Sequence, residues 1–364
     1  LLTDAQGNPS SLHWAGAVAR DAVEAARSQA AAILCCDATE VVFTSGGTEA
    51  NNQAIKGLFF AARDRGRFHI ITTRIEHPAV LEPCRFLETL GAEVTRLPVD
   101  RFGRVDPDDV RRAIRPGTVL VSIMHANNEV GTIQPIADIA AIARDHGVLC
   151  HTDAAQTVGK IPVDVESLGV DLLSVAGHKF YGPKGVGTLF IREGVVLEPL
   201  MHGAGHEAGR RAGTENILEV AGLGAACKLA HDWINDHRVQ TLRDKFWRRL
   251  QETFGDGVTL NGHPEHRLPN TLNVSFLGRH GHEILARLPN LAASTGSACH
   301  AGSMHISPVL AAMGVPHEIG LGAIRFSLGR NTTPAEIDGV VAALRRVVGQ
   351  QSPEQSNHQH QLER

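Results

Sequence analysis

The sequence predicts an α/β protein with a large domain built on a mostly parallel central sheet and a smaller α+β domain at its C-terminal end. Short apolar runs alternate with segments of helical periodicity through most of the chain, a pattern typical of βα units. After about residue 236 the pattern changes to separate strands between amphipathic helices. With 364 residues, 43% of them hydrophobic, the chain is long enough to bury two cores.

The predicted elements follow in order from this periodicity. Apolar runs predict strands at 40–45, 68–73, 118–124, 147–152, 272–276 and 324–328. Helical spacing predicts helices at 136–146, 229–254, 281–288 and 334–348. We therefore expect a large domain of residues 1–235, whose N-terminal arm (1–15) packs on a small domain of residues 236–350. Residues 351–364 show no periodicity, and we expect a disordered tail there.

Composition excludes several classes of function. A net charge of −4 gives no reason to expect nucleic-acid binding, and no apolar run approaches the ~20 residues of a membrane span. The six cysteines include no Cys-x-x-Cys pair, and the histidines include no His-Glu-x-x-His, so we expect no metal site. Scattered thiols in a chain of this length are typical of a cytoplasmic protein.

A lysine and an aspartate follow two successive apolar runs. Asp153 lies in His-Thr-Asp-Ala-Ala-Gln, and Lys179 lies in the glycine-bounded turn Gly-His-Lys-Phe-Tyr-Gly-Pro-Lys-Gly. A lysine in a tight, partly desolvated loop can form an imine, and an aspartate can pair with a pyridinium nitrogen. Either residue alone is most simply explained as a loop lysine or a strand-end cap. Together they predict an enzyme that uses pyridoxal 5'-phosphate (PLP).

Further polar motifs also follow predicted strands, where ligands bind in α/β sheets. The motif Thr-Ser-Gly-Gly-Thr-Glu-Ala-Asn-Asn opens a helix, and Gly47 and Thr48 could bind the cofactor phosphate. His77 could lie on the cofactor ring and move protons. Asn128, in Asn-Asn-Glu-Val-Gly, and Gln156 could bond a ring hydroxyl or a substrate carboxylate. Each motif alone could equally be a turn or a cap.

Three candidates lie farther along the chain. The loop 209–216 could bind phosphate through Arg211 and Thr214, or could be a solvated surface loop. Arg325 lies among apolar residues, where its charge needs a partner: a substrate carboxylate, or a structural ion pair. Cys299 lies among small residues (Ser-Thr-Gly-Ser-Ala-Cys-His-Ala-Gly-Ser), where a thiolate could react, whereas the other five cysteines lie in helix-like or strand-like contexts.

In combination these motifs, with Arg-Arg-Ala-Gly-Thr-Glu-Asn, Leu-Pro-Asn-Thr-Leu-Asn and Arg-Phe-Ser-Leu-Gly-Arg, resemble the class V aminotransferase family. Within it the chain is most similar to NifS-type cysteine desulfurases and selenocysteine lyases, from about residue 7 to residue 349. The resemblance implies fold type I of the PLP-dependent transferases and a homodimer. It also implies conversion of L-cysteine to L-alanine with a persulfide on Cys299, and sulfur transfer to an acceptor such as an iron–sulfur scaffold.

The resemblance also implies a role for each site residue. Lys179 would hold PLP covalently and remove the substrate α-proton, while Asp153 would pair with the pyridine nitrogen. The ring would be contacted by His77 and Gln156. The phosphate would be bound by Gly47, Thr48, His178 and, from the neighbouring subunit, Thr214. The substrate would be held by Asn128 and Arg325, and its sulfur would be attacked by Cys299.

Two positions depart from the usual desulfurase pattern. Ala176 stands before Gly-His-Lys, where the family often has serine, and His300 follows Cys299, where threonine or serine is usual. Selenocysteine lyases share both features, so a lyase that releases selenide is the main alternative. A sulfur-relay protein with impaired catalysis and an ordinary aminotransferase are further alternatives. The long connection from Cys299 to Arg325 resembles the branch whose mobile cysteine delivers sulfur to acceptor proteins. The family's N-terminal Asp-x-Ala-Ala-Thr-Thr motif is expected before the first residue given.

Overall fold

The computed structural model describes residues 7–62, 68–296, 298–300 and 303–349, with only the backbone at 298–300 and 303–304. The chain divides into two compact units. The large unit comprises Leu1–Asp100, Arg104–Asn128 and Thr132–Asp236. The small unit comprises His237–Arg364 together with two short pieces from earlier in the chain, Arg101–Gly103 and Glu129–Gly131. Residues 1–6 of the expected arm and the expected tail, 351–364, lie outside the described residues.

A seven-stranded sheet forms the centre of the large unit, in the order β1-β7-β6-β5-β4-β2-β3. Its strands are β1 Val41–Thr44, β2 His69–Thr73, β3 Glu93–Leu97, β4 Thr118–Ser122, β5 Leu149–Asp153, β6 Leu172–Ala176 and β7 Gly187–Ile191. The five strands from β3 to β6 run parallel, and β7 is antiparallel to both of its neighbours. Four strands (β1, β2, β6 and β7) are buried along their whole length, and β4 and β5 are buried at all but one residue, as expected for a sheet covered on both faces. The prediction of a mostly parallel sheet is confirmed.

Helices connect and cover these strands. They are α1 Trp14–Leu34, α2 Gly47–Ala62, α3 Pro78–Glu88, α4 Pro107–Ala113, α5 Ile136–Asp145, α6 Val165–Leu168 and α7 Ile217–Trp233. The two long helices α1 and α7 pack against one another, and both contribute small buried side chains such as Ala26 and Ala226. Small side chains let the two backbones approach closely, and buried residues of both helices belong to the same hydrophobic core as those of the sheet.

The single helix predicted over 229–254 is wrong, because the chain forms two helices there. The first, α7, ends at Trp233, and α8 spans Arg238–Phe254. Between them the N–H of Asp236 bonds to the carbonyl of Trp233 at 2.8 Å, which closes a turn. Short polar side chains such as Asn235 and Asp236 compete for backbone hydrogen bonds and favour such breaks. The two units meet in the chain at the same point, between Asp236 and His237.

The small unit is built on a three-stranded antiparallel sheet, in the order β12-β9-β8. Its strands are β8 Val258–Asn261, β9 Thr271–Phe276 and β12 Ala323–Ser327, and β10 Ala298–His300 pairs separately with β11 Ser303–His305. Its helices are α8, α9 Gly281–Ala286, α10 Pro308–Ala312, α11 His317–Gly320 and α12 Pro334–Val348. The aromatic rings of Phe246 and Phe326 meet edge to face at 5.0 Å in its core. Among the described residues, no helix combines the length and apolar character that crossing a membrane requires.

Candidate active site

The ends of two adjacent parallel strands bring the predicted lysine and aspartate to the same edge of the large unit's sheet. Asp153 is the last residue of β5, and it pairs in register with Ser174 of β6. After β6 the chain enters a short 3-10 turn, Gly177–Phe180, which carries His178 and Lys179. Lys179 is exposed, whereas Asp153 is 7% exposed.

Asp153 is held by two hydrogen bonds, one to each carboxylate oxygen. The side-chain amide of Asn51, on α2, donates to Oδ2 at 2.7 Å, and the backbone N–H of Ala155 donates to Oδ1 at 2.9 Å. Burial raises the pKa of Asp153, while these two donors and the charges of His77 and Lys179 oppose the rise. Asn51 was not identified from the sequence, because only the fold brings α2 next to the end of β5.

A second buried carboxyl group, Glu76, lies near Asp153 and was also missed. Glu76 is 4% exposed and accepts hydrogen bonds from the Thr73 hydroxyl at 2.7 Å and the Met124 N–H at 3.1 Å. Burial raises the pKa of Glu76 to about 8, and the charge of Asp153 adds to the rise. Near neutral pH Glu76 is therefore mostly protonated, so it adds little negative charge beside Asp153.

His77 lies at the start of α3 with its side chain exposed. The Nδ1 atom of His77 accepts the backbone N–H of Ala79 at 3.1 Å and so caps the helix. When the ring is neutral, this bond places its proton on Nε2, the nitrogen left available for proton transfer. The side chain of His77 can therefore cap the helix through Nδ1 and take part in proton transfer through Nε2 at the same time.

The expected phosphate site lies at the start of α2, where free backbone N–H groups favour an anion. Thr48 is exposed there. A Cβ atom at Gly47 would lie 3.3 Å from the Cβ of Ala176, so glycine leaves room that a side chain would fill. The pKa of His178 is lowered by burial and by the positive charges of Lys179, Lys184 and Lys160. A concentration of positive charge of this kind suits a phosphate.

Two other predicted contacts have partners within the protein. The Oε1 atom of Gln156 accepts a hydrogen bond from Lys160 Nζ at 3.1 Å. Arg211 forms an ion pair with Glu49 at 2.9 Å, so its proposed role as a phosphate ligand is not favoured. Thr214 lies exposed in the same loop.

The two adjacent asparagines after β4 have different surroundings. Asn127 is completely buried, and its amide donates to the backbone carbonyl of Ile75 at 3.0 Å. Asn128 is half-buried. The fold thus gives Asn127 a structural task, which fastens the loop before His77, and leaves Asn128 as the candidate for substrate.

The small unit carries Arg325 and Cys299. Arg325 lies at the middle of β12, opposite Asn273 of β9, and its backbone exchanges hydrogen bonds of 2.7 and 3.1 Å with Ser294. The side chain of Arg325 is half-buried. Burial raises the pKa of the neighbouring Glu129, while a hydrogen bond with Ser307 and the charge of Arg325 oppose the rise. The backbone of Cys299 lies in β10 opposite Met304, and its side chain lies outside the described part of the chain.

The large unit therefore fits PLP by its own chemistry. It offers an accessible amine on Lys179, a buried and hydrogen-bonded carboxylate on Asp153, and a helix N-terminus with room for a phosphate at Gly47. A buried carboxylate whose ionised form is favoured by two hydrogen-bond donors and by nearby positive charges is the group that a protonated pyridine nitrogen requires.

Comparison with known proteins gives consistent results. The aminotransferase class-V family matches residues 1–340. The chain is 50% identical over 352 residues to "Cysteine desulfurase IscS" of Dictyoglomus turgidum, covering 96% of this chain and 89% of that protein. The protein of the same name from Methanosarcina thermophila is 48% identical over 95% of this chain and 86% of its own length.

Solved structures are similar over the same extent. A "NifS-like protein" superimposes with a TM-score of 0.88 at 37% identity, covering 96% of this chain and 93% of that chain. A structure described as "SspA in complex with cysteine" gives a TM-score of 0.79 at 37% identity, covering 90% of this chain and 92% of that chain.

Proposed function

The chain belongs to the class V aminotransferase family, and we propose that it is a PLP-dependent cysteine desulfurase that converts L-cysteine to L-alanine and keeps the sulfur as a persulfide on Cys299. The observation that carries the proposal is the 50% identity to a cysteine desulfurase along 96% of the chain. The cysteine bound to a structural relative supports the same substrate. The fold-type prediction is confirmed by the family match and by the similarity to NifS-like structures.

We assign the cofactor contacts to residues of the large unit. Lys179 would hold PLP covalently, Asp153 would pair with its nitrogen, and His77 and Gln156 would contact its ring. The phosphate would be bound by Gly47, Thr48 and His178. When bound, PLP supplies the electron sink that makes the substrate α-proton acidic.

The protein's own groups then divide the reaction among them. Lys179 takes the α-proton, and His77 can exchange protons through Nε2. The amide of Asn128 and the guanidinium of Arg325 hold the substrate carboxylate. The Cys299 thiolate attacks the substrate sulfur. A sulfur–sulfur bond forms as the sulfur–carbon bond breaks, and its electron pair stays with the carbon, which takes up a proton and leaves as part of L-alanine.

We also propose a homodimer in which Thr214 reaches the phosphate of the neighbouring subunit. Large exposed apolar side chains support this proposal: Trp14 of α1 is 82% exposed, and Leu229 of α7 is 55% exposed. Light scattering that gives the mass of a single chain for the fully active enzyme would exclude the homodimer.

The persulfide would be passed to an acceptor protein, such as an iron–sulfur scaffold. We propose that this transfer takes place in the cytoplasm. The five cysteines whose side chains are described are all free, which fits a reducing compartment.

Selenocysteine lyase is the second candidate function. The buried Ala176, next to the start of α2, supports it, since a hydroxyl at this position would give the phosphate one more donor. His300, directly after Cys299, supports it as well.

Alanine release by the PLP-loaded protein distinguishes these functions, with L-cysteine and L-selenocysteine assayed side by side. We expect release from L-cysteine that disappears in Cys299→Ala and persists in Cys35→Ala, a matched change at an exposed thiol. Release from L-selenocysteine alone would establish the lyase. Alanine release that survives in Cys299→Ala would argue against a persulfide on Cys299. Conversion of L-cysteine to its keto acid, without alanine release, would point to an aminotransferase, and a protein that stays colourless with PLP would point to a sulfur-relay role. Lys179→Ala is expected to lose the visible absorbance.

A further inference from the structure

Asn51 is the side chain that fixes the orientation of Asp153. It lies in the second turn of α2, is 1% exposed, and donates from Nδ2 to Asp153 Oδ2 at 2.7 Å. The other carboxylate oxygen is occupied by the N–H of Ala155 at 2.9 Å. With one donor on each oxygen, the plane of the carboxylate is fixed from two directions, by a helix on one side and by its own strand end on the other.

The same amide leaves its oxygen without a partner. Asn51 Oδ1 is buried and accepts no hydrogen bond from any described residue. Turning the amide over would not help, because its oxygen would then face the carboxylate of Asp153. An unsatisfied buried oxygen destabilises the fold, and a leucine of similar volume would avoid it. The use of an amide at this position is therefore explained by the bond that it gives to Asp153.

The charged groups around Asp153 show why such a donor is useful. His77 and Lys179 favour its ionised form, and Glu76 opposes it when Glu76 is itself ionised. The amide of Asn51 does not titrate, so its support for the carboxylate is constant.

We propose that Asn51 is a positioning residue for the cofactor, which orients Asp153 and favours its ionised form so that it can pair with the pyridine nitrogen of PLP. The inference rests on the proposed role of Asp153 in binding the cofactor. It does not depend on what the loaded enzyme does to cysteine.

The test measures the dissociation constant of PLP for cofactor-free protein by visible absorbance, at about pH 6 and about pH 8.5. The variants are Asn51→Leu, which removes the donor at similar volume, and Asn51→Asp, which keeps the shape. Asn52→Ala is the matched control, because its amide makes only a local bond to the Thr48 carbonyl at 2.9 Å. Each variant is compared with the wild type at the same pH, so that effects of pH common to both proteins cancel.

We expect Asn51→Leu to weaken PLP binding about tenfold to a hundredfold at both pH values, the range for a hydrogen bond to a charged group, and Asn52→Ala to bind like the wild type. At position 51 an aspartic acid that holds a proton donates to Asp153 as the amide does. We therefore expect Asn51→Asp to match the wild type at low pH and to bind PLP more weakly at high pH, where that proton is lost.

Two results would overturn the inference. One is binding by Asn51→Leu within twofold of the wild type. The other is binding by Asn51→Asp that stands in the same ratio to the wild type at both pH values, because a merely structural role does not depend on that proton. If Asn51→Leu does not fold, Asn51→Asp decides. Wild-type protein that binds PLP and releases no alanine from cysteine would refute the desulfurase and leave this test intact.

Discussion

Gly159→Ala is predicted to disturb the turn that carries Lys179. Gly159 lies in the turn after β5 with φ +74°, a left-handed conformation. A Cβ atom added there would lie 2.6 Å from the Cβ and 2.9 Å from the Cγ of Phe180. Phe180 is 2% exposed, and its Cβ is fixed by the backbone, so the ring cannot simply rotate away. The residue before it is Lys179, and we expect the displacement to reach that side chain.

Backbone strain and overpacking both destabilise Gly159→Ala, and a second variant, Gly147→Ala, separates the two effects. The left-handed conformation costs alanine about 1–2 kcal/mol, and overpacking of the core costs about 1–3 kcal/mol. We therefore expect Gly159→Ala to lower the free energy of unfolding by about 2–5 kcal/mol. Gly147 has a similar φ of +67° with nothing within 4 Å of the added Cβ, so Gly147→Ala should show the first effect alone.

Urea unfolding of the cofactor-free variants measures the difference, and titration with PLP measures the consequence for the site. We expect Gly159→Ala to unfold at lower urea and to bind PLP more weakly than Gly147→Ala. Equal unfolding midpoints for the two variants would refute the overpacking argument. Equal affinities for PLP would refute the proposed connection from Phe180 to Lys179.

Three further predictions concern stability and substrate binding. Arg27→Ala should lower the free energy of unfolding by about 3–5 kcal/mol, because the buried carboxylate of Glu207, which Arg27 pairs with at 2.8 Å, would lose its cation. Arg85→Ala, which removes an exposed ion pair, should cost less than about 1 kcal/mol. Equal urea midpoints for the two variants would contradict this prediction. Burial lowers the pKa of His151 to about 3. As the pH decreases below about 6.5, the unfolded chain therefore takes up a proton that the folded chain does not, and the free energy of unfolding decreases. In His151→Asn the dependence of unfolding free energy on pH between about 6 and 4 should be shallower by about 1.4 kcal/mol per pH unit, and an unchanged slope would show that His151 is not the group responsible. Asn127→Ala should cost about 1–3 kcal/mol of stability, and Asn128→Ala should raise the KM for L-cysteine more than Asn127→Ala does; a larger rise in KM for Asn127→Ala in steady-state assays would exchange their proposed roles.

The positions of most strands and of several helices could be predicted from local pattern alone. The helix predicted over 334–348 is observed as α12, Pro334–Val348. The prediction was possible because the sequence there contains both a helix start signal and a periodic apolar face. Thr333 and Glu336 form a capping box there, and Pro334 occupies the first turn, which are signals contained within four residues. The helix predicted over 229–254 was wrong because apolar periodicity continues through a turn that polar residues make.

Predicted site residues that follow strands lie at the sheet edge where parallel strands end, as the topology requires. Asp153 and Lys179 are brought to that edge by the pairing of β5 with β6. Their supporting residues could not be predicted. Asn51 belongs to a motif that was assigned to phosphate, and Glu76 was noticed only as the neighbour of His77.

The sequence by itself determined the alternation of strands and helices, the kind of cofactor and the residues that carry reactive groups. Those features depend on periodicity and on side-chain chemistry, both of which can be read from neighbouring residues. The tertiary structure alone decided which polar groups are buried together. Asn51 and Asp153 are 102 positions apart in the chain, and their hydrogen bond exists only because α2 packs next to the end of β5. Long-range packing sets the burial and the charge of such groups, and no local pattern records it.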